Sequence, residues 1–173
     1  MDLSQVPFSK PRMIEKCLAY RIGKAEDFGE NTVRMFQRAR EVWVSAYAPY
    51  SEFYVAAVVL TRSGSMLAGT NQENASYPVG ICAERVVLSA LSCLEQGGEV
   101  AAMLVLAGRK NQAMDPKEGS RNPVAPCGMC RQALLEQIKR QNADFPLFLA
   151  NTMGEIWAID SAADLLPLAF YEF

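Results

Sequence analysis

The stretches "VGICAERVVLSAL" (79–91) and "VAPCGMCRQALLEQI" (124–138) each read as the opening of an amphipathic helix, and each puts cysteine where a capping residue is expected. Cys127 and Cys130 lie three apart on what would be a first turn, close enough to hold one ion, and Pro126 sets the chain at the helix entry. Cys82 opens the other helix. Unpaired backbone N–H groups and the positive end of the helix dipole favour thiolate there, and thiolate is the form that binds metal. Cys93 lies farther along the same predicted helix, about 16 Å from Cys82 at the helical rise, and is expected in the core. Three sulfur ligands leave one coordination position open, which separates a catalytic zinc from a structural one. Spacing alone leaves other readings open: a redox-active CxxC pair, a closed zinc site with Cys17 as fourth ligand, or buried cysteines without metal.

Around these helices the pattern alternates. Val33, Phe36, Ala39, Trp43 and Ala46 form a helical stripe that ends before Pro49. "FYVAAVVLT" and "SMLAGTN" flank "RSG" as two strands joined by a tight turn. Val86, Ala90 and Cys93 are predicted to share the inward face of the first cysteine helix, and Cys130, Leu134 and Ile138 that of the second. "VAAMLVLAG" (100–108) is a near-continuous apolar run, as for a strand covered on both faces, and "FPLFLAN" and "EIWAID" are shorter strands. The polar stretch 108–123 reads as one long surface loop, and a short helix closes the chain. The alternation predicts an α/β layered domain with a mixed sheet over residues 31–173. Residues 1–30 carry no assignable pattern and are set apart as an N-terminal extension.

The totals remove several classes of function. A formal net charge of -2 and a pI near 5.3 argue against a nucleic-acid polymer as partner. The longest apolar runs fall far short of the about 20 residues a membrane span needs. The opening residues lack the apolar core and cleavage site of a secretory signal, and five cysteines form an odd set, so a cytoplasmic protein without a disulfide framework is expected. Histidine is absent, which eliminates every Ser-His, Cys-His and HExxH mechanism. A general base must come from another residue type. Glu84, two residues past Cys82, is a candidate because side chains on a first turn lean back over the helix end. Glutamate is also common there for dipole reasons, and the spacing by itself does not establish contact.

The combination "CAE" (82–84) with "PCGMC" (126–130) resembles the zinc-dependent nucleoside deaminases, in particular the small, homo-oligomeric cytidine deaminases that use three cysteines. The likeness runs from about Ala46 to Phe170. "AYAPYSEFYVAAVVLT" (46–61) is similar to that family's first loop and strand, and "GTNQENASYPVGICAERVVL" (69–88) to its nucleoside loop and first metal helix. "PCGMCRQALLE" (126–136) is similar to the second metal helix, and "ADLLPLAF" (163–170) to the C-terminal segment. Ala56 stands where the family often has Gly, and Ala125 where Ser is frequent.

The resemblance implies a three-layer α/β/α fold around a mixed sheet of about five strands, and zinc on Cys82, Cys127 and Cys130. Glu84 would carry protons between water, the pyrimidine ring and the departing amine, releasing ammonia. Arg85 would offset the charge of three thiolates. Asn71 and Glu73 would meet the sugar hydroxyls, Phe53 and Phe170 would wall the base or sugar, with Phe170 reaching across a subunit interface, and the backbone of Ala83 and Ala125 would meet the pyrimidine edge. A carboxylate facing the sugar favours an uncharged nucleoside over a nucleotide. A homotetramer, or a dimer, is implied. Two alternatives are a related deaminase of blasticidin-S type, with no need of the Asn71 and Glu73 pair, and a non-catalytic zinc-binding module.

Overall fold

The computed structural model describes residues 13, 15–94, 98–109 and 122–170. Along the chain run β1 (Arg21–Gly23), α1 (Glu30–Trp43), β2 (Tyr54–Thr61), β3 (Met66–Thr70), α2 (Ala83–Leu94), β4 (Val100–Gly108), α3 (Gly128–Gln141), β5 (Leu147–Asn151) and β6 (Ile156–Ile159). A last single turn spans Ala162–Leu165. The strands form one sheet in the order β1-β6-β5-β4-β2-β3. Among the described strands only β4 and β5 pair in parallel, which requires a crossover, and α3 supplies it.

β4 explains its own composition. Ala102, Leu104 and Leu106 face one core, with Met35, Ala39 and Trp43 of α1. Met103 and Val105 face the other, with Val87 and Leu91 of α2 and Leu134 of α3. Covered on both faces, the strand has no use for alternation, so its apolar run is unbroken. The three layers are therefore α1, the sheet, and α2 with α3.

The predicted elements are present, with four differences. The sheet has six strands because Arg21–Gly23, in the segment without an assignable pattern, pairs antiparallel with β6 at the sheet edge. Its side chains are largely exposed, so no hydrophobic period marks it. α1 stops at Trp43, whose indole Nε1 donates to the Tyr54 carbonyl at 2.8 Å; Ala46 is buried, but beyond the helix. On α2 the inward face is Ala83, Glu84, Val87, Leu88 and Leu91, whereas Val86 and Ala90 are half-buried and Cys93 is exposed rather than in the core. Both stripes of α2 are apolar, so periodicity cannot choose between them. On α3 the buried set is Cys130, Leu134 and Gln137, with Ile138 partly buried against the same core. Of the loop expected at 108–123, residues 110–121 lie outside the described residues.

β3 meets the start of α2 at Gly69. A Cβ there would stand 2.8 Å from the Val87 amide nitrogen and 3.0 Å from the Ala83 carbonyl, both backbone atoms that cannot step aside. Gly69→Ala is expected to lose about 1–3 kcal/mol in denaturant unfolding as α2 is pushed from the sheet. Cys93→Ser, on the exposed face, should stay within about 0.5 kcal/mol of the parent in the same measurement.

Candidate active site

The two cysteine helices lie on one face of the sheet and begin over its central strands, where Val55 of β2 and Val105 and Ala107 of β4 line the same cavity as Cys82 and Cys127. Cys127 is the N-cap of α3, with extended backbone (φ -65, ψ 168), and its carbonyl accepts from the Arg131 amide at 3.0 Å. The Cys82 carbonyl accepts from the Arg85 and Val86 amides, both at 3.1 Å, so Cys82 stands in the same relation to α2. The approach to Cys82 is pinned by isolated bridges: Gln72 pairs with Tyr47 on one side and with Ile81 on the other. The approach to Cys127 is tied by Arg131, whose Nε donates to the Pro126 carbonyl at 2.8 Å and whose guanidinium also reaches the Leu165 carbonyl at 3.2 Å.

As a result the sulfurs converge. Cys82 Sγ lies 3.9 Å from Cys127 Sγ, Cys127 Sγ lies 3.4 Å from Cys130 Sγ, and all three fall within 4.8 Å of one another. Ligands at the usual Zn–S length on a tetrahedron sit about 3.8 Å apart, so the trio fits one zinc ion, and soft thiolates suit zinc over hard cations. Cys17 is exposed and outside the trio, which among the described residues is the single group able to hold a metal. Hydrogen bonding with Cys130 is the main influence that pulls the Cys82 thiol down to about 6, against burial and the Glu84 charge, with help from Cys127 and the nearby Arg85. The same bond, then burial and Glu84, push Cys130 upward. The lowered Cys82 thiol favours the thiolate form that a divalent cation binds.

A cavity of about 730 Å³ opens over this trio. Cys82, Ala83, Glu84, Ala125 and Cys127 line it at the metal end, and Phe53, Asn71 and Glu73 farther out. Cys130 is fully buried beneath. Glu84 is 4% exposed, and burial raises its pKa against the hydrogen bonds it receives from its own backbone and from Cys130. Glu73 sits in contrasting surroundings. Burial again acts to raise its pKa, but donors from the Ser51 hydroxyl and the Tyr50 and Ser51 amides outweigh this and hold it below the usual carboxylate value. The Asn71 side chain is engaged with backbone: Oδ1 accepts from the Val55 amide at 2.8 Å and Nδ2 donates to the Phe53 carbonyl at 2.9 Å. One Nδ2 hydrogen is left for a ligand. Arg85 is half-buried and does not line the cavity. Phe170 is 68% exposed, outside the cavity of its own chain, and its carbonyl accepts from Gln132 Nε2 at 2.7 Å.

The sequence reading did not single out Tyr50, Ser51, Tyr77 or Arg131. Tyr50 and Tyr77 stack edge to face at the cavity wall, with ring centroids 6.2 Å apart. Nothing in local spacing marks them, since each acts through contacts distant in sequence.

Fold and site together define a zinc-site α/β protein with an acidic group beside the metal position. Residues 30–142 match the family described as the cytidine and deoxycytidylate deaminase zinc-binding region. The cytidine deaminase of Halalkalibacterium halodurans is 41% identical over 134 residues, which is 77% of this chain and 86% of that one. That of Sporosarcina psychrophila is 33% identical over 82% of this chain and 90% of its own. The crystal structure of cytidine deaminase from Burkholderia pseudomallei superposes with a TM-score of 0.65 at 37% identity, covering 80% of this chain and 98% of that one. The chain belongs to the cytidine and deoxycytidylate deaminase family, and its metal is zinc.

Elemental analysis of purified protein is expected to give one zinc per chain. Stripping it with a chelator should lower the melting temperature by about 10 °C, the size expected when a tightly held ion is lost from a domain of this length. Cys127→Ser should purify with well under one equivalent.

Proposed function

We propose that the protein is a zinc-dependent cytidine deaminase, which converts cytidine or deoxycytidine and water into uridine or deoxyuridine and ammonia. The observation that carries this reading is Glu84: a carboxylate 4% exposed, with its pKa raised, on the cavity wall beside three converging sulfurs in a chain without histidine. The relatives named cytidine deaminase support the choice of substrate.

Cys82, Cys127 and Cys130 would hold zinc, which as a Lewis acid would supply a water able to act as nucleophile near neutral pH. Glu84 accepts a proton from the water that attacks the amino-bearing ring carbon, and passes it to the adjacent ring nitrogen. Glu84 then takes the proton of the hydroxyl newly added to that carbon and delivers it to the amine, so that the carbonyl forms as the C–N bond breaks and ammonia leaves. A raised pKa suits both duties, because the group must hold and release a proton near neutral pH. Burial also keeps bulk water from competing. Arg85 supplies positive charge against the thiolates. Backbone groups of Ala83 and Ala125 fix the pyrimidine edge, Phe53 packs against the nucleoside, and Asn71 and Glu73 receive the sugar. An ionised Glu73 repels phosphate, which favours the free nucleoside.

The catalytic unit proposed is residues 31–173, with 1–30 an extension of which Arg21–Gly23 pair with β6 at the sheet edge while Ala25 and Phe28 pack in the core beside α1. We further propose a cytoplasmic homo-oligomer, a tetramer or a dimer, in which Phe170 closes the cavity of a neighbouring subunit. Its exposure, and its place outside its own chain's cavity, support this. No helix among the described residues is long and apolar enough to cross a membrane.

The test is ammonia release from a substrate panel. Cytidine and deoxycytidine should be turned over and the monophosphates should not. Turnover of blasticidin S in preference to cytidine would replace the substrate assignment. Glu84→Gln should remain folded and zinc-loaded while losing about 10²–10⁴ in kcat. Parental turnover by that variant would overturn the mechanism.

A further inference from the structure

Glu73 owes its placement to a loop. Its carboxylate receives the Tyr50 amide at 2.9 Å, the Ser51 amide at 3.3 Å and the Ser51 hydroxyl in a short hydrogen bond. All three donors belong to the segment between α1 and β2, outside the sheet ladder. That segment turns through Glu52, a non-glycine residue with φ 54, a left-handed conformation that disfavours L side chains. The carboxylate is only as well placed as this loop, and the loop needs a restraint from elsewhere.

The restraint comes from the end of β4. Tyr54 and Gly108 are register partners across β2 and β4, so the next residue, Arg109, emerges beside the loop that precedes β2. Its guanidinium donates to the Ser51 carbonyl at 2.7 Å, a bond between residues 58 apart in sequence. Ser51 is therefore the hub. Its carbonyl takes the Arg109 bond, its amide and hydroxyl donate to Glu73, and its hydroxyl also accepts from the Phe53 amide at 3.0 Å. A charge-assisted bond to a carbonyl is among the stronger restraints a surface loop can receive.

We infer that Arg109 is a positioning residue for sugar recognition: through Ser51 it fixes the direction of the Glu73 carboxylate. This rests on the proposal that Glu73 accepts the sugar hydroxyls. Arg109 touches no reacting atom in this scheme. Losing it should weaken substrates that present those hydroxyls and spare one that lacks them.

Steady-state kinetics of the full chain on cytidine, with dideoxycytidine as alternative substrate or competitor, provide the test. Arg109→Met and Ser51→Ala should each raise KM for cytidine about tenfold, the worth of one displaced hydrogen bond to a charged group, with kcat within about twofold. The corresponding constant for dideoxycytidine should move by less than about twofold, and Arg109→Lys should recover part of the loss. Equal penalties on both nucleosides, or an unchanged KM for cytidine, would overturn the inference. Glu73→Gln separates the two levels. If it distinguishes the nucleosides while Arg109→Met and Ser51→Ala do not, the positioning role alone fails. If it does not distinguish them, the sugar-facing role of Glu73 fails and the inference falls with it. Should Arg109→Met not fold, Arg109→Gln decides on the same criteria, because Ser51→Ala leaves the carbonyl that Arg109 bonds in place.

Discussion

Three sulfurs that repel one another once ionised are held within 4.8 Å, and much of the fold serves that convergence. Two come from residues just outside helix starts and the third from a first turn, where backbone N–H groups lack helical partners and the dipole is positive. Bringing two such ends together requires α2 and α3 on one face of the sheet, both starting over β2 and β4. β4 and its crossover through α3 to β5 place one of them. The close approach of β3 at Gly69 places the other. A histidine-free ligand set makes this geometry more demanding, since every ligand brings a negative charge, and Arg85 and Arg131 stand beside two of those ligands in sequence.

Much of this was legible in the amino-acid sequence because it is local. The cysteine spacing at 127 and 130, the unbroken apolar run of β4 and the turn between β2 and β3 each follow from residues near one another in the chain. What was not legible depends on partners far away. β1 is an exposed edge strand held by ladder hydrogen bonds to β6, so its side chains carry no period. The inward face of α2 was misread because both of its stripes are apolar, and packing on the sheet, not composition, decides which is buried. Past Trp43 the chain of α1 tightens into a turn, with the Ser45 amide on the Val42 carbonyl and the Ala46 amide on the Trp43 carbonyl, and the apolar stripe runs on through that turn to Ala46. At the site, family likeness supplied candidates, while Ser51 and Arg109 carry no signature because their partners lie 22 and 58 residues away.

The two carboxylates of the cavity sit in opposite settings, and each setting fits the task proposed for it. Glu84 lies on a helix that packs into the core, and burial lifts its pKa toward the range in which a proton is readily exchanged. Glu73 lies on a loop that turns three donors toward it, and those donors keep it ionised. The first environment suits a group that must gain and lose a proton; the second suits one that must accept hydrogen bonds and never give a proton up. Under the proposed roles, exchanging the settings would disable both: an ionised Glu84 locked by donors could not carry a proton to the ring, and a protonated Glu73 would present a donor where the sugar hydroxyls are to meet an acceptor. The proposed division of labour therefore follows from what surrounds each carboxyl group, with helix packing governing the chemistry and loop geometry governing the recognition.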